Sequence, residues 1–196
     1  MDRGELLRCL KSICAYVKDR DALLIIGSQA AHASIEDSAI PEVVQLSREV
    51  DIAFTPSQPT VADSFLEDLN AADFWLGEGS AYADQNGFYM EFVDPGVLVL
   101  PADWQHHLKL LPVRTNEGRV VEIKCLSLED LAVAKILRGT DKDKTFVAEF
   151  LESGHLDLAA TAGLIEGDLL FPAGYADSIS LMRQRALDFL EQLGHD

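Results

Sequence analysis

The chain has 196 residues, enough for one sizeable core and at most a small appended subdomain. Its 33 Asp and Glu against 16 Lys and Arg give a formal net charge of −17, which argues against a broad grip on nucleic acid because such a surface repels phosphate backbones. The apolar runs ALLII and VLVL are too short to span a membrane. The first residues, MDRGELLRCLK, lack the apolar block of a signal peptide. These features predict a cytoplasmic protein.

The first third of the chain alternates helical and strand patterns. Residues 3 to 19 have apolar side chains at helical spacing, which predicts an amphipathic helix with Cys9 and Cys14 as small core residues. ALLII predicts a buried strand that stops at Gly27-Ser28, and QAAHAS predicts a helix directly after that turn. EVDIAF predicts the next strand, and TVADSFLEDLNAADF predicts a helix with Val61, Phe65 and Leu69 on one side.

The remaining elements are predicted from turn and cap signals. Asn86-Gly87 predicts the turn of a hairpin whose second strand is FYMEFV, and RVVEIK predicts a further strand. Ser127 predicts a cap for SLEDLAVAKILR, Gly139 its end and Thr140 the cap of the next helix, TDKDKTFVAEFLESG. The rest, up to about residue 194, is helical by pattern, with a break at Pro172 and Gly174. Trp75 and Trp104 are expected to anchor the core or its edge.

Two carboxylates stand out on the strand EVDIAF. Side chains alternate across a strand, so Glu49 and Asp51 share one face while Val50, Ile52 and Phe54 point into the core. Such neighbours repel each other unless a cation lies between them, and Mg²⁺ accepts carboxylate oxygens. For this pair alone, a half-exposed edge strand with polar residues outward is the favoured interpretation.

A third carboxylate and a glycine turn favour a ligand site. Glu91 on FYMEFV could lie beside Glu49 and Asp51 if the two strands are neighbours, and three converging carboxylates are costly without a metal. Gly27-Ser28 ends a strand just before a predicted helix, where backbone N–H groups can approach a phosphate. A metal site next to a phosphate site is typical of a protein that binds a metal–nucleoside triphosphate complex.

The segments LLIIGSQAAH, EVDIAF and FYMEFV, in this order, resemble the nucleotidyltransferase fold of the polymerase-beta superfamily. That family has a Gly-Ser or Gly-Gly turn, two acidic residues one apart on a strand, and a third on a later strand. The downstream segment CLSLEDLAVAKILRGTDKDKTFV resembles a block of bacterial proteins in that superfamily related to AbiEii-type abortive-infection toxins. The resemblance covers roughly residues 20 to 150.

The resemblance implies a role for each matching residue. Glu49, Asp51 and Glu91 would be the catalytic carboxylates and would hold Mg²⁺ or Mn²⁺, with Glu91 as the base that takes the acceptor's proton. The nucleotide would be bound by Gly27, Ser28, Lys135, Lys142 and Asp143. Lys135 and Lys142 are seven apart and would share a face if one helix axis continued past Gly139. Glu49 departs from the family's usual Asp and lengthens one ligand by a methylene.

The sequence thus predicts an α+β fold with a nucleotidyltransferase-like mixed sheet flanked by helices. Residues 1–125 would form the α/β core and residues 126–196 a helical region packed on it, unless the whole is one domain. The predicted activity is metal-dependent transfer of a nucleoside monophosphate from an NTP to an acceptor hydroxyl. Two alternatives stay open: a catalytically inactive module of the same fold that binds a nucleotide or a partner protein, and an interaction protein whose acidic strand faces water.

The predicted partners follow from charge and resemblance. The substrate would be a nucleoside triphosphate, and the acceptor a tRNA end, a small hydroxyl-bearing molecule or a protein side chain. The toxin-like resemblance implies an antitoxin-like protein partner. No long duplex nucleic acid and no membrane are expected to bind, because the basic cluster of Lys135, Arg138, Lys142 and Lys144 offers only a few phosphate contacts.

Overall fold

The structure, a computed structural model, describes residues 1–54 and 62–195. Its helices are α1 (Arg3–Tyr16), α2 (Glu42–Gln45), α3 (Ala62–Leu76), α4 (Ala81–Asn86), α5 (Leu128–Arg138), α6 (Asp141–Glu152), α7 (Leu158–Glu166) and α8 (Ile179–His195). Its strands are β1 (Leu23–Ile25), β2 (Glu49–Phe54), β3 (Tyr89–Phe92), β4 (Leu100–Pro101), β5 (Lys109–Arg114), β6 (Val120–Cys125) and β7 (Leu169–Leu170). These elements form two units, Met1–Pro95 with Leu108–Leu126, and Gly96–His107 with Ser127–Asp196. The mixed sheet and flanking helices confirm the predicted α+β class.

The first unit is built on a five-stranded mixed sheet in the order β3-β2-β1-β6-β5. β1 pairs antiparallel with β2 and parallel with β6, and β2 pairs parallel with β3. Helix α1 begins with a capping box between Asp2 and Glu5 and packs on α3 and on the sheet. Its buried Cys9 and Cys14 confirm their predicted place in the core. The predicted position of Val61 lies outside the described residues.

The predicted hairpin at Asn86-Gly87 is wrong. Residues before it form α4, which Ser80 caps by accepting a hydrogen bond from the Ala83 N–H at 3.1 Å. Gly87 ends that helix in the left-handed region with φ 78°, where glycine has no steric penalty. β3 then pairs parallel with β2, which a two-residue turn could not achieve. The dipeptide acts as a helix end.

Two further elements of the first unit differ from prediction. The residues after Gly27 form a six-residue 3₁₀ helix, Ser28–Ala33, and not an α-helix. β5 was not predicted, because its sequence KLLPVR contains a proline and charged ends. Pro112 is tolerated there because β5 is an edge strand of the sheet.

The second unit contains α5 to α8 and the short antiparallel pair of β4 and β7. Ser127 caps α5 as predicted, and Gly139 ends it in the left-handed region with φ 71°. Thr140 then starts α6 with a capping box to Asp143. The predicted end at Gly139 and cap at Thr140 are thus confirmed. Because the chain turns between the two helices, the condition under which Lys135 and Lys142 would share one helix face is not met.

The segment before β5 is tied to α5 by a histidine–carboxylate contact. His107 Nδ1 lies 3.2 Å from both oxygens of Asp130, whose side chain is fully buried, and the Ser127 hydroxyl donates to Asp130 Oδ2 at 2.8 Å. The bond to Asp130 raises the pKa of His107 against the smaller opposing effect of burial. Trp104 is buried in the same segment as predicted, whereas Trp75 in the first unit is 57% exposed and does not anchor the core.

Candidate acidic site on the sheet

The register of β2 and β3 brings the predicted carboxylates to one face of the sheet. Asp51 lies directly opposite Glu91, and Glu49 lies opposite Tyr89. Because side chains alternate along each strand, these four residues belong to one face. Val50, Ile52 and Met90 belong to the opposite face and are buried. The expectation that the two strands are neighbours is confirmed. The catalytic roles of these carboxylates stay predictions.

Gly27 is the position at which the end of β1 meets β2. A Cβ atom added there would lie 1.5 Å from Asp51 Oδ2 and 2.4 Å from Asp51 Cγ. The Ile26 N–H also donates to the Asp51 carbonyl oxygen at 3.1 Å. The turn therefore needs glycine because the Asp51 carboxylate fills the space of a side chain. The neighbouring Ser28 is buried, and phosphate contacts by Gly27 and Ser28 stay predictions.

Tyr89 was missed by the sequence interpretation and belongs to this face. Its hydroxyl donates to Glu49 Oε2 at 3.4 Å. Burial raises the pKa of Tyr89, and the negative charges of Glu49, Glu78 and Glu91 raise it further. Three carboxylates therefore act electrostatically on the Tyr89 phenol. This face of the sheet is accordingly negatively charged. Strand alternation could have found Tyr89, since it lies two residues before Glu91.

The donor chemistry of the face suits a hard divalent cation. Carboxylate oxygens are the ligands that Mg²⁺ and Mn²⁺ prefer, and the negative potential at Tyr89 favours a cation. Within residues 1–54 and 62–195, however, no three His, Cys, Asp or Glu side chains are gathered closely enough to hold a metal. Glu49, Asp51 and Glu91 therefore match such an ion in donor chemistry and share one sheet face, but they do not form a coordination shell. Their role as metal ligands stays a prediction.

His32, near the same turn, is a core residue. Its side chain is 1% exposed, and its Nδ1 lies 3.7 Å from Asp37 Oδ1, too far for a hydrogen bond. Burial lowers the pKa of this imidazole. Gln29 is also buried and donates from Nε2 to the Val44 carbonyl oxygen at 3.0 Å. Their burial favours packing over contact with a nucleotide.

The three remaining predicted residues lie in the second unit. Asp143 is fully buried; Arg138 donates to both of its oxygens at 2.7 and 2.6 Å, and the Thr140 hydroxyl donates at 2.7 Å. Lys135 Nζ lies 3.4 Å from Asp143 Oδ1 and 4.8 Å from the centre of the Phe146 ring. Burial acts to raise the pKa of Asp143, but these hydrogen bonds and cations hold it below its ordinary value.

These contacts give Lys135 and Asp143 a structural role at the turn between α5 and α6. Lys135 is 8% exposed, so it is not the solvated lysine that a helix surface usually carries. Lys142, the third of these residues, is exposed. The predicted nucleotide contacts of all three residues stay predictions.

The glycine turn after β1 and the paired carboxylates on a mixed sheet define a nucleotidyltransferase-like fold. The chain belongs to the family described as "Nucleotidyltransferase of unknown function (DUF6036)", whose model matches residues 5–186. No curated protein and no solved structure shows significant similarity to the chain. The narrower resemblance to AbiEii-type toxins stays a prediction. In the described part of the chain, none of the helices has the length and apolar character needed to cross a bilayer.

Proposed function

We propose that this protein transfers a nucleoside monophosphate from a nucleoside triphosphate to an acceptor hydroxyl at the acidic face of β2 and β3. One observation carries the proposal. Asp51 lies opposite Glu91 in the register of the two strands, and its carboxylate fills the space above Gly27. The family match, which spans residues 5–186, supports the same class of reaction.

The reaction forms one bond to phosphorus and breaks another. The acceptor oxygen attacks the α-phosphorus of the triphosphate, and the bond from that phosphorus to the oxygen bridging to the β-phosphate breaks. Pyrophosphate leaves with the electron pair of the broken bond. Glu91, exposed near the end of β3, takes the proton of the acceptor hydroxyl, because a carboxylate on the reacting face can act as a general base.

Glu49 and Asp51, with Glu91, would hold Mg²⁺ or Mn²⁺. A bound divalent cation would supply neutralisation of the charge that develops on the phosphoryl oxygens and on the leaving pyrophosphate. The Tyr89 hydroxyl would orient Glu49 by donating a hydrogen bond to its carboxylate. This bond would restrict the side chain of Glu49, which is one methylene longer than that of Asp and has more rotamers. Gly27 and Ser28 would lie next to the phosphates.

The net negative charge of the protein restricts which classes of molecule can serve as the acceptor. With 33 acidic against 16 basic residues, long duplex nucleic acid is repelled. A tRNA end, a small hydroxyl-bearing molecule or a protein side chain are the remaining candidates, each of which needs only a few contacts.

A second candidate is a nucleotide-binding module without turnover. It is favoured by Glu49 in place of the family's usual Asp, and by the finding that no three metal-ligating side chains are gathered in the described residues. The two candidates differ in one observable: the inactive module binds an NTP and releases no pyrophosphate.

The test is incubation with each NTP labelled at the α-phosphate, Mn²⁺ or Mg²⁺, and separate RNA, protein and metabolite fractions. Active protein is expected to move label into one fraction and to release pyrophosphate in equal amount, and Glu91→Gln should lose both. NTP binding without either product would establish the inactive module instead. Absence of binding and turnover would overturn both.

A further inference from the structure

One long block of this chain contains no basic residue. Residues 49–108 contain eleven Asp and Glu and no Lys or Arg, whereas all 16 basic residues lie outside this block. Within the first unit the block forms β2, α3, α4 and β3. The block therefore carries a formal charge of −11 on 60 residues, out of −17 for all 196.

The same block exposes two large aromatic side chains. Phe74 and Trp75, near the end of α3, are 73% and 57% exposed. Their ring centres are 5.1 Å apart with an interplanar angle of 89°, an edge-to-face arrangement. An exposed Trp–Phe pair leaves a large apolar area in water, and such patches mark interaction surfaces.

Exposed acidic residues flank this pair along the chain. Glu67, Ala71 and Phe74 follow each other at helical spacing and are exposed, so they form one stripe along α3. Asp73 and Glu78 are exposed on either side of the aromatic pair in sequence. Lys18 pairs with Asp68 of α3 at 3.3 Å, so one carboxylate of this helix already contacts a basic side chain.

We propose that the exposed surface at the C-terminal end of α3, formed by Phe74 and Trp75 together with Glu67, Asp73 and Glu78 (the α3 surface), binds a basic amphipathic segment of a partner protein. Lys and Arg of such a segment would face the carboxylates and the aromatic faces, and its aliphatic side chains would cover the rings. Nucleic acid and anionic membranes carry the wrong charge for this surface, and a second copy of this chain carries the same net charge of −17. The proposal concerns binding alone and does not depend on nucleotide transfer.

The test is fluorescence anisotropy of a labelled Lys/Leu peptide of about 14 residues with helical amphipathic spacing, titrated with the full chain at about 150 mM salt, where screening leaves close contacts. Binding is expected, and Trp75→Ser should weaken it at least tenfold. Phe171→Ser, which changes another exposed aromatic residue in the second unit, should change it less than twofold. Circular dichroism and urea unfolding show that each variant is folded.

Two double variants, each lacking two carboxylates, distinguish the effect of charge at the α3 surface from the effect of the net charge of the protein. Glu67→Gln with Asp73→Asn should weaken peptide binding at least fivefold, whereas Glu152→Gln with Asp177→Asn removes the same charge from exposed sites outside the block and should have little effect. Equal weakening by both pairs, or no peptide binding, would overturn the proposal. A dimer in size-exclusion chromatography that Trp75→Ser abolishes would assign the surface to a second copy and would overturn it too, as would tighter binding of duplex DNA.

Discussion

The Asp51 carboxylate occupies the space in which any side chain at residue 27 would lie, with its Oδ2 atom 1.5 Å from the position of a Cβ at Gly27. The end of β1 and the middle of β2 are thereby fitted to one another at the point where Asp51 faces Glu91. The packing against Asp51 therefore requires glycine at residue 27 even without a ligand.

Gly27→Ala is expected to lower the free energy of unfolding by about 1–3 kcal/mol, the usual cost of overpacking. Denaturation in urea measures it. Gly163→Ala is the matched control: an added Cβ there meets nothing within 4 Å, and alanine stabilises a helix by up to about 1 kcal/mol relative to glycine. The double variant Gly27→Ala with Asp51→Ala should recover part of the lost free energy of unfolding, because Asp51→Ala removes the two atoms nearest the new Cβ. A Gly27→Ala protein as stable as wild type would contradict this packing.

Neutralising the acidic pair by Glu49→Gln with Asp51→Asn is expected to keep or raise stability in metal-free buffer. The reason is that two like charges on one strand face repel each other. The same variant should lose the heat of Mn²⁺ binding in calorimetric titration, and Glu152→Gln with Asp177→Asn, equal in charge, should keep it. Equal metal uptake by wild type and the Glu49/Asp51 variant would show that these carboxylates are not the metal site.

Asp143→Ala is expected to destabilise the protein by about 3–5 kcal/mol, because it leaves the buried Lys135 without this partner and removes the Asp143 half of the capping box of α6. The pKa of Asp143 is below its ordinary value, so its contribution is present above the unfolded pKa of about 3.9 and is lost as pH falls through the folded one. As the pH is lowered from 7 to 3, the urea midpoint of Asp143→Ala should therefore fall less steeply than that of the wild type. An unchanged midpoint at pH 7 would contradict this role.

Lys135→Ala separates the structural role of this lysine from its predicted phosphate contact. Loss of the ion pair should lower the free energy of unfolding by more than the roughly 0.5 kcal/mol typical of a surface substitution. A phosphate contact should in addition weaken NTP binding by about tenfold or more. Reduced stability with unchanged NTP affinity would assign Lys135 to the turn between α5 and α6 alone.

His107→Gln is expected to flatten the dependence of stability on pH near neutrality. The contact with Asp130 raises the folded pKa of His107, so its stabilisation is full below the unfolded pKa of about 6.5 and is lost as pH rises through the folded one. Wild-type urea midpoints should fall between pH 6 and 8, and those of His107→Gln should fall less. His106→Gln, at the exposed neighbouring position, should behave as wild type; a fall that persists in His107→Gln would place the effect elsewhere.

The acidic face was predictable because it depends on alternation within two short strands, which a sequence displays directly. β2 carries Glu49 and Asp51 at alternate positions and β3 carries Glu91, so the pairing of the two strands was the one part that the fold had to supply. Tyr89 follows from the same rule. The Gly27–Asp51 fit was not predictable, since it joins residues 24 positions apart through their packing.

The prediction from local sequence was wrong where the same short sequence pattern is typical of two different structures. Asn86-Gly87 is typical of a hairpin turn, but a glycine with positive φ also ends helices, and Ser80 at the start of α4 decides for the helix. The buried pair of Lys135 and Asp143 depends on the turn at Gly139. The sequence predicts the turn from Gly139 and Thr140, but it does not show that Lys135 and Asp143 form an ion pair across that turn.

The measurement that tests the account most directly is the rate of label transfer from an α-labelled NTP by wild type, Asp51→Asn and Asp73→Asn. Both variants remove one carboxylate from the same unit, but only Asp51 lies on the proposed reacting face. We predict that Asp51→Asn lowers the rate by about 10²-fold or more, the scale typical of losing one charged group from a site of phosphoryl transfer, and that Asp73→Asn leaves it within twofold of wild type. Equal transfer by Asp51→Asn and wild type would contradict the assignment of this face as the active site.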